Sequence, residues 1–266
     1  MIKETARSKR KRIKPTTREI HLILLHIFSI ILLSSFVPAP LAAGGMETMD
    51  AGKFSGATAD EQLPAGWEPL HFKDIPSHTE YSLIQDNGTT VVQAVSRASS
   101  SGLTRKINID PQEYPTLSWS WKVSNIYDKG DVTRKDGDDY PARIYITFAY
   151  DADKVGFWER VKFNTVKFIY GEYPPINAIN YIWASKAPQE LITPNPFTDR
   201  VKMIVIESGA GKINQWIHEK RDIVSDYRQA FGEEPPLISG IAIMTDSDNT
   251  RESATAWYGD IAFSRK

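Results

Sequence analysis

Two segments in which apolar and polar residues alternate strictly place the strongest constraint on the fold. In residues 116–123 the apolar positions are Leu117, Trp119, Trp121 and Val123, and the polar ones between them are Ser118, Ser120 and Lys122. In residues 142–150 the apolar positions are Ala142, Ile144, Ile146, Phe148 and Tyr150, separated by Arg143, Tyr145 and Thr147. Successive side chains of a strand point to opposite faces. Each segment therefore predicts a half-buried strand, and we expect the two strands to be neighbours in a sandwich.

The composition limits the chemistry that the chain can perform. It contains no cysteine, which excludes disulfides, thiolate nucleophiles and thiolate zinc sites. The chain has 32 basic and 33 acidic residues, and its first 43 positions contain eight of the basic and two of the acidic ones. The remainder therefore has 24 basic and 31 acidic residues, a net charge of −7. Such a body is a poor electrostatic match for nucleic acid.

Residues 1–43 have the pattern of a segment that targets a protein for export. A basic stretch is followed by residues 20–37, which lack formal charge, and then by small residues at 42–45. This order is typical of a secretory signal peptide, and an uncleaved N-terminal membrane anchor is the alternative. The first predicts a periplasmic or secreted protein. The second predicts a protein anchored in the inner membrane, with its body outside the cytoplasm and no other membrane contact.

The rest of the chain divides into a flexible linker, residues 44–62, and a single domain, residues 63–266. An Asn87-Gly88 pair between apolar runs predicts a β-hairpin with a type I′ turn. Further strands are predicted at 103–109, 177–184, 200–207, 237–245 and 254–263, and helices at 157–170 and near 223–231. Asp222 and Gly232 are suited to cap the second helix. This pattern indicates a mainly β fold, a jelly-roll-like antiparallel β-sandwich with one or two short helices.

A first candidate site lies where an acid-rich loop enters the second alternating strand. Asp138 and Asp139 precede Arg143 and Tyr145, and acidic, basic and aromatic side chains on one polar face are suited to bind sugar hydroxyls. The same two carboxylates could instead serve glycoside hydrolysis. A solvated loop in which Arg143 pairs with a neighbouring aspartate is the structural alternative.

Asn180 is a second candidate, because an amide in mid-strand is disfavoured unless it has partners. It is expected on the face opposite Ile179, Tyr181 and Trp183, where it would either line a ligand groove or make structural hydrogen bonds. Trp119 and Trp121 are interpreted as core residues rather than as platforms for a sugar, since they alternate with polar residues.

The segment 246–250 (DSDNT) is the third candidate. Asp246, Asp248 and Asn249 supply oxygen ligands that suit Ca²⁺, although the segment lacks the glycine and glutamate of an EF-hand. A turn stabilised by its own Asp and Asn side chains is the alternative. No other cofactor is indicated, and no catalytic residue is assigned, because no constellation supports nucleophilic catalysis.

Several segments together resemble the bacterial exported family called domain of unknown function 3047. They are residues 67–72 (WEPLHF), 118–121 (SWSW), 138–143 (DDYPAR), 180–183 (NYIW), 226–232 (DYR…FG) and 246–250. The resemblance implies a soluble domain beyond the inner membrane and supplies no activity. Residues 238–244 and 257–263 are also similar to the last strands of carbohydrate-binding jelly rolls, at the level of fold only.

These observations favour a noncatalytic module that binds a glycan or another polar ligand of the cell envelope. A glycoside-hydrolase-like enzyme that uses the acidic loop 136–139 is one alternative. A structural or partner-binding envelope protein is the other.

Overall fold

The computed structural model describes residues 47–59, 61–150 and 176–266. Their strands in chain order are β1 Thr48–Gly52, β2 Glu68–Leu70, β3 Glu80–Asp86, β4 Thr89–Arg97, β5 Ser100–Ile109, β6 Thr116–Val123, β7 Arg143–Phe148, β8 Ala178–Ala184, β9 Ile192–Asn195, β10 Thr198–Ser208, β11 Ile217–Asp222, β12 Ile238–Asp246 and β13 Ser253–Ser264. One α-helix, α1 (Ile223–Phe231), and short 3₁₀ turns at Phe54–Gly56 and Lys135–Gly137 complete the described part. The helix predicted at 157–170 lies outside it. No helix within the described ranges is long and apolar enough to cross a membrane.

The strands form two sheets. The six-stranded sheet has the order β11-β6-β13-β4-β3, with β1 also paired to β13, and the seven-stranded sheet has the order β2-β5-β12-β7-β8-β10-β9. The predicted mainly β, jelly-roll-like sandwich is thereby confirmed. The antiparallel prediction needs one correction, because β8 and β10 are parallel. Parallel neighbours require a crossover, and the segment between them, which contains β9, provides it.

The two alternating segments are not neighbours in one sheet, which corrects the prediction made from them. β6 belongs to the six-stranded sheet and β7 to the seven-stranded one. Both apolar faces still point to the same core, because the intervening loop carries the chain from one sheet to the other. Alternation predicts which face of a strand is buried, and it does not predict the partner strand.

Aromatic rings join the sheets across the core. The ring of Trp119 stacks on Tyr181 at 5.3 Å between centroids, and Trp121 lies 5.9 Å from Trp183. Trp119 and Trp121 are 3% and 0% exposed, which confirms that they are core residues. The core therefore fixes β6 against β8, and residues of β8 that alternate with these rings point to the outer face of the seven-stranded sheet.

The sequence signals for the hairpin turn and for the ends of the helix also agree with the structure. Asn87 and Gly88 both have positive φ, 52° and 81°, between the paired strands β3 and β4, as a type I′ turn requires. Asp222 accepts a hydrogen bond from the Ser225 N–H at the start of α1, and Gly232 ends the helix with φ 77°. The hairpin and helix predictions are thus confirmed.

The predicted linker contains regular structure, a further correction. Residues 48–52 form β1 on the edge of β13, and Phe54 is buried with its ring 5.3 Å from that of Trp67. The small polar residues around Phe54 suggested a linker, but burial of one large ring and pairing of the backbone are enough to attach the segment.

Candidate functional site

A groove with a volume of about 1350 Å³ crosses the outer face of the seven-stranded sheet. Its floor comes from side chains that alternate with core residues on β7 and β12. On β7 these are Arg143, Tyr145 and Thr147, and opposite them on β12 lie Met244, Ala242 and Gly240, in register. A Cβ on Gly240 would lie 2.8 Å from the Thr147 hydroxyl, so this position admits little besides glycine. Because Gly240 and Ala242 on β12 are small, the floor lies below the surrounding side chains, and this depression forms the groove.

Loops form the walls of the groove. One wall contains Leu70, the last residue of β2, and the following residues up to Ile75, and the other contains Asn195 at the end of β9 and Phe197 between β9 and β10. The Phe197 ring is 57% exposed, and the Lys135 ammonium lies 5.2 Å from its centroid. The groove thus combines apolar and aromatic side chains with a few polar groups on its floor, the usual composition of a small-molecule site.

Arg143 is the centre of the polar network on the floor. Although it lies on the polar face of β7, it is only 2% exposed. Its guanidinium forms a two-point ion pair with Asp246, with Nε 2.8 Å from Oδ1, and also donates to the backbone oxygen of Asp138. The remaining nitrogen donates to the Tyr145 hydroxyl at 3.1 Å and lies 3.7 Å from the Asp138 carboxylate. Arg143 is therefore a fixed scaffold group whose donors are already used.

The Tyr145 hydroxyl can still donate a hydrogen bond to a ligand in the groove. Burial raises the pKa of its hydroxyl to about 12, although the neighbouring Arg143 opposes the change. The hydroxyl therefore keeps its proton at neutral pH. Since it accepts a hydrogen bond from Arg143, its own proton is available to a ligand.

Two buried side chains on this face have polar atoms without a hydrogen-bond partner among the described residues. One is Asp138, whose Oδ2 accepts from the Asn195 amide at 2.8 Å while its Oδ1 has no partner. The other is Asn180, in register with Tyr145, whose amide oxygen and nitrogen both lack partners. Buried polar atoms are normally satisfied, so each such atom needs an explanation.

The segment after β12 is held by Asp139. This fully buried carboxylate accepts hydrogen bonds from the Asn249 side-chain amide at 3.0 Å and from the Thr250 N–H at 2.5 Å. One ligand oxygen each of Asp139, Asp246 and Asp248 lies within 4.8 Å of the others. Burial raises the pKa of Asp246 well above its ordinary value and outweighs Arg143; the charges of Asp139 and Asp138 add to the rise. Burial and Asp139 also raise the pKa of Asp248.

The structure brings most of the sequence-predicted site residues together, but not all of them. The groove is lined by Asp138, Arg143, Tyr145, Asp246, Asp248 and Asn249. Asn180 shares the sheet face without lining the groove, and Asp139 lies beneath the segment that it holds. Sequence reasoning missed the wall residues, including Lys73, Asn195 and Phe197. Only the alternation of polar residues in β5, which places Thr104 and Lys106 on the same face, could have indicated part of that wall.

Fold and groove together define a β-sandwich domain with a polar groove across one sheet. The chain belongs to the family described as Protein of unknown function (DUF3047), which matches residues 65–262. This confirms the resemblance found in the sequence motifs. No curated protein matches the sequence significantly.

Solved structures show a distant likeness to carbohydrate-binding domains. The Emp47p carbohydrate recognition domain matches with a TM-score of 0.39 and 9% identity, over 82% of this chain and 94% of that one. A family 30 carbohydrate-binding module of a Clostridium thermocellum cellulosomal cellulase matches with a TM-score of 0.36 and 11% identity, over 82% and 98%. The Endo-D glycoside hydrolase domain from Streptococcus pneumoniae matches with a TM-score of 0.32 and 9% identity, over 74% of this chain but 21% of that one. These values are too low to transfer a ligand or an activity.

Proposed function

We propose that this protein is a noncatalytic module of the cell envelope that binds a glycan or another hydroxyl-rich polar ligand in the groove. The observation that carries the proposal is the floor of the groove, where the polar side chains of β7 are fixed by hydrogen bonds within the protein. A ligand that binds such a preorganised row loses little affinity to ordering of the protein.

The individual groups match a ligand that both donates and accepts hydrogen bonds. The Tyr145 hydroxyl has a proton to donate, and Asp138 adds a carboxylate to the lining of the groove. Thr147 and Ser239 add hydroxyls, 3.2 Å from each other, along the same floor. Phe197 offers an exposed ring at the wall, on which the apolar face of a sugar ring can lie.

The geometry gives less support to a glycoside hydrolase that uses Asp138 or Asp139. A hydrolase of this kind needs two carboxyl groups that reach the scissile bond from the site. Asp139 is fully buried, and both of its oxygens accept hydrogen bonds from the segment 249–250. A chromogenic glycoside panel with the wild type, Asp138→Asn and Asp139→Asn tests this alternative, which would replace ours if turnover were found and both variants lost it.

The binding test compares two exposed apolar residues. Phe197→Ala removes the ring at the groove wall, and Met49→Ala is the matched control on β1 in the other sheet. We expect calorimetric titration with a panel of envelope polysaccharides to detect binding, to weaken about tenfold in Phe197→Ala and to stay unchanged in Met49→Ala. Absence of binding across the panel, or equal effects of both variants, would refute a glycan site in this groove.

The envelope location rests on the order of basic, apolar and small residues at the N-terminus. We expect expression of the full chain in a bacterial host, followed by cell fractionation and N-terminal sequencing, to yield a soluble exported protein that begins at Gly44. An intact chain in the membrane fraction would instead identify the uncleaved anchor. A chain that stays in the cytoplasm would contradict export.

A further inference from the structure

Four carboxylates and one buried cation lie close together at the end of the groove. Asp138, Asp139 and Asp246 are buried and Asp248 is half-buried, while the buried cation Arg143 pairs with Asp138 and Asp246. These five side chains have a formal net charge of −3. Lys129, an exposed residue whose ammonium donates to the Thr250 backbone oxygen at 2.9 Å, reduces it only to −2. Burial of uncompensated carboxylates is costly, so a further positive charge is expected.

Three of the carboxylates are placed so that one ion can reach them all. One oxygen each of Asp139, Asp246 and Asp248 lies within 4.8 Å of the others. Asp139 lies in the loop that precedes β7 and Asp246 is the last residue of β12, while Asp248 lies in the turn after β12 and accepts a hydrogen bond from the Ser100 side chain. Each carboxylate has about four lone-pair sites, so the hydrogen bonds described above leave acceptor capacity on all three.

An unpartnered buried hydroxyl is a second, independent observation at the same place. The Thr250 side chain is only 2% exposed, and its hydroxyl has no partner among the described residues. The N–H of the same residue donates to Asp139 at 2.5 Å, so this hydroxyl lies next to the carboxylate cluster. Neutral oxygens beside clustered carboxylates are suited to a hard cation.

We propose that Asp139, Asp246 and Asp248 bind a Ca²⁺ ion at the end of the groove, with the hydroxyl of Thr250 close to it. Calcium is favoured over magnesium because two of the three carboxylates, Asp139 and Asp248, come from irregular segments. Ca²⁺ accepts six to eight oxygens in flexible geometry, whereas Mg²⁺ demands a near-ideal octahedron. Compared with the ligand set predicted from sequence, Asp139 replaces Asn249, since the Asn249 amide nitrogen is engaged with Asp139. The site stands independently of any glycan.

The test uses calcium chloride alone with the full-length protein after treatment with a chelator. We expect calorimetry to give a Kd between about 10⁻⁶ and 10⁻³ M. The melting temperature is expected to rise by about 5 to 10 °C at a calcium concentration about a hundredfold above Kd. Magnesium chloride should give a clearly smaller rise.

Two matched variants locate the ion. Asp248→Asn removes one proposed ligand at a half-buried position where an amide oxygen can still accept from Ser100, so the fold is expected to survive. Asp74→Asn removes an exposed carboxylate from the wall of the same groove and is the control. Calcium affinity should fall about tenfold or more in the first and stay unchanged in the second. The assignment is overturned by absence of heat and of a melting shift with calcium, by equal affinity in Asp248→Asn and wild type, or by an equal response to magnesium.

Discussion

The outer faces of the two sheets each hold a largely buried cation, and the two cations are balanced differently. On the six-stranded sheet, the Lys122 ammonium pairs with Asp86 at 2.5 Å and lies 4.4 and 5.1 Å from the ring centroids of Trp257 and Trp216. The Trp216 N–H donates to the same Asp86 oxygen at 2.7 Å. On the seven-stranded sheet, Arg143 is surrounded by Asp138 and Asp246, with Asp139 and Asp248 close by.

The difference separates a structural cluster from a candidate functional one. One cation and one carboxylate, enclosed by two rings, form a complete set that needs no further partner. Four carboxylates around one arginine, with unpartnered oxygens nearby, form an incomplete set that a ligand or an ion would complete. Two clusters that look equally polar in the sequence therefore differ in whether they need a further counter-charge or hydrogen-bond partner.

The largest expected effects on the free energy of unfolding come from replacing the cationic residue of each cluster. Arg143→Met leaves Asp138 and Asp246 buried without a counter-charge, so we expect a loss of about 3 to 5 kcal/mol in the free energy of unfolding. Lys122→Met leaves one carboxylate that is partly exposed, for which we expect a loss of about 1 kcal/mol. Urea denaturation measures both. Similar losses in the two variants would mean that the clusters do not differ as proposed.

Removal of one negative charge from each cluster should have effects of opposite sign. Asp86→Asn removes the sole carboxylate paired with Lys122, and we expect the free energy of unfolding to fall by about 1 kcal/mol. Asp248→Asn relieves the repulsion with Asp139, so in calcium-free buffer at neutral pH we expect a rise of about 0.5 kcal/mol. A loss in both variants would show that Asp248 is already compensated without calcium.

The smallest effect is the pH dependence of the balanced cluster. The hydrogen bond from Lys122 is the main cause that lowers the pKa of Asp86 in the folded protein. A lowered folded-state pKa contributes stability that is complete above the unfolded value, about 3.9, and is lost as the pH falls through the folded value. The stability difference between wild type and Asp86→Asn should therefore be constant from neutral pH down to about 4 and shrink below it. A difference that already declines between pH 7 and 5 would contradict this origin.

Sequence reasoning succeeded where the determinants are local. The positive φ of Asn87 and Gly88, the capping of α1 by Asp222 and the burial of Trp119 follow from neighbouring residues alone. Alternation also placed Arg143 and Tyr145 on one face of β7, and the structure brings both into one groove.

What could not be predicted depends on residues distant in the chain. Arg143 lies on a polar face, yet it is buried because Asp246, more than a hundred positions later, and the acidic loop enclose it. Asp139 points to the segment 249–250 rather than to the groove, although Asp138 beside it lines the groove. Nothing in the alternation distinguishes these two carboxylates. Which sheet a strand joins, as for β6 and β7, likewise depends on long-range pairing.

The pairing of β1 with β13 has a mechanical consequence. In this antiparallel pair, Thr48 lies opposite Ser264 and Gly52 lies opposite Ile261. The chain therefore enters β1 and leaves β13 at the same end of the pair. Tension applied to both flanks would load these pairs one after another rather than all together. We expect single-molecule pulling to peel β1 from the sandwich at low force before the main unfolding event, and a single unfolding step would contradict that order. Detachment of β1 would therefore release tension before the rest of the domain unfolds.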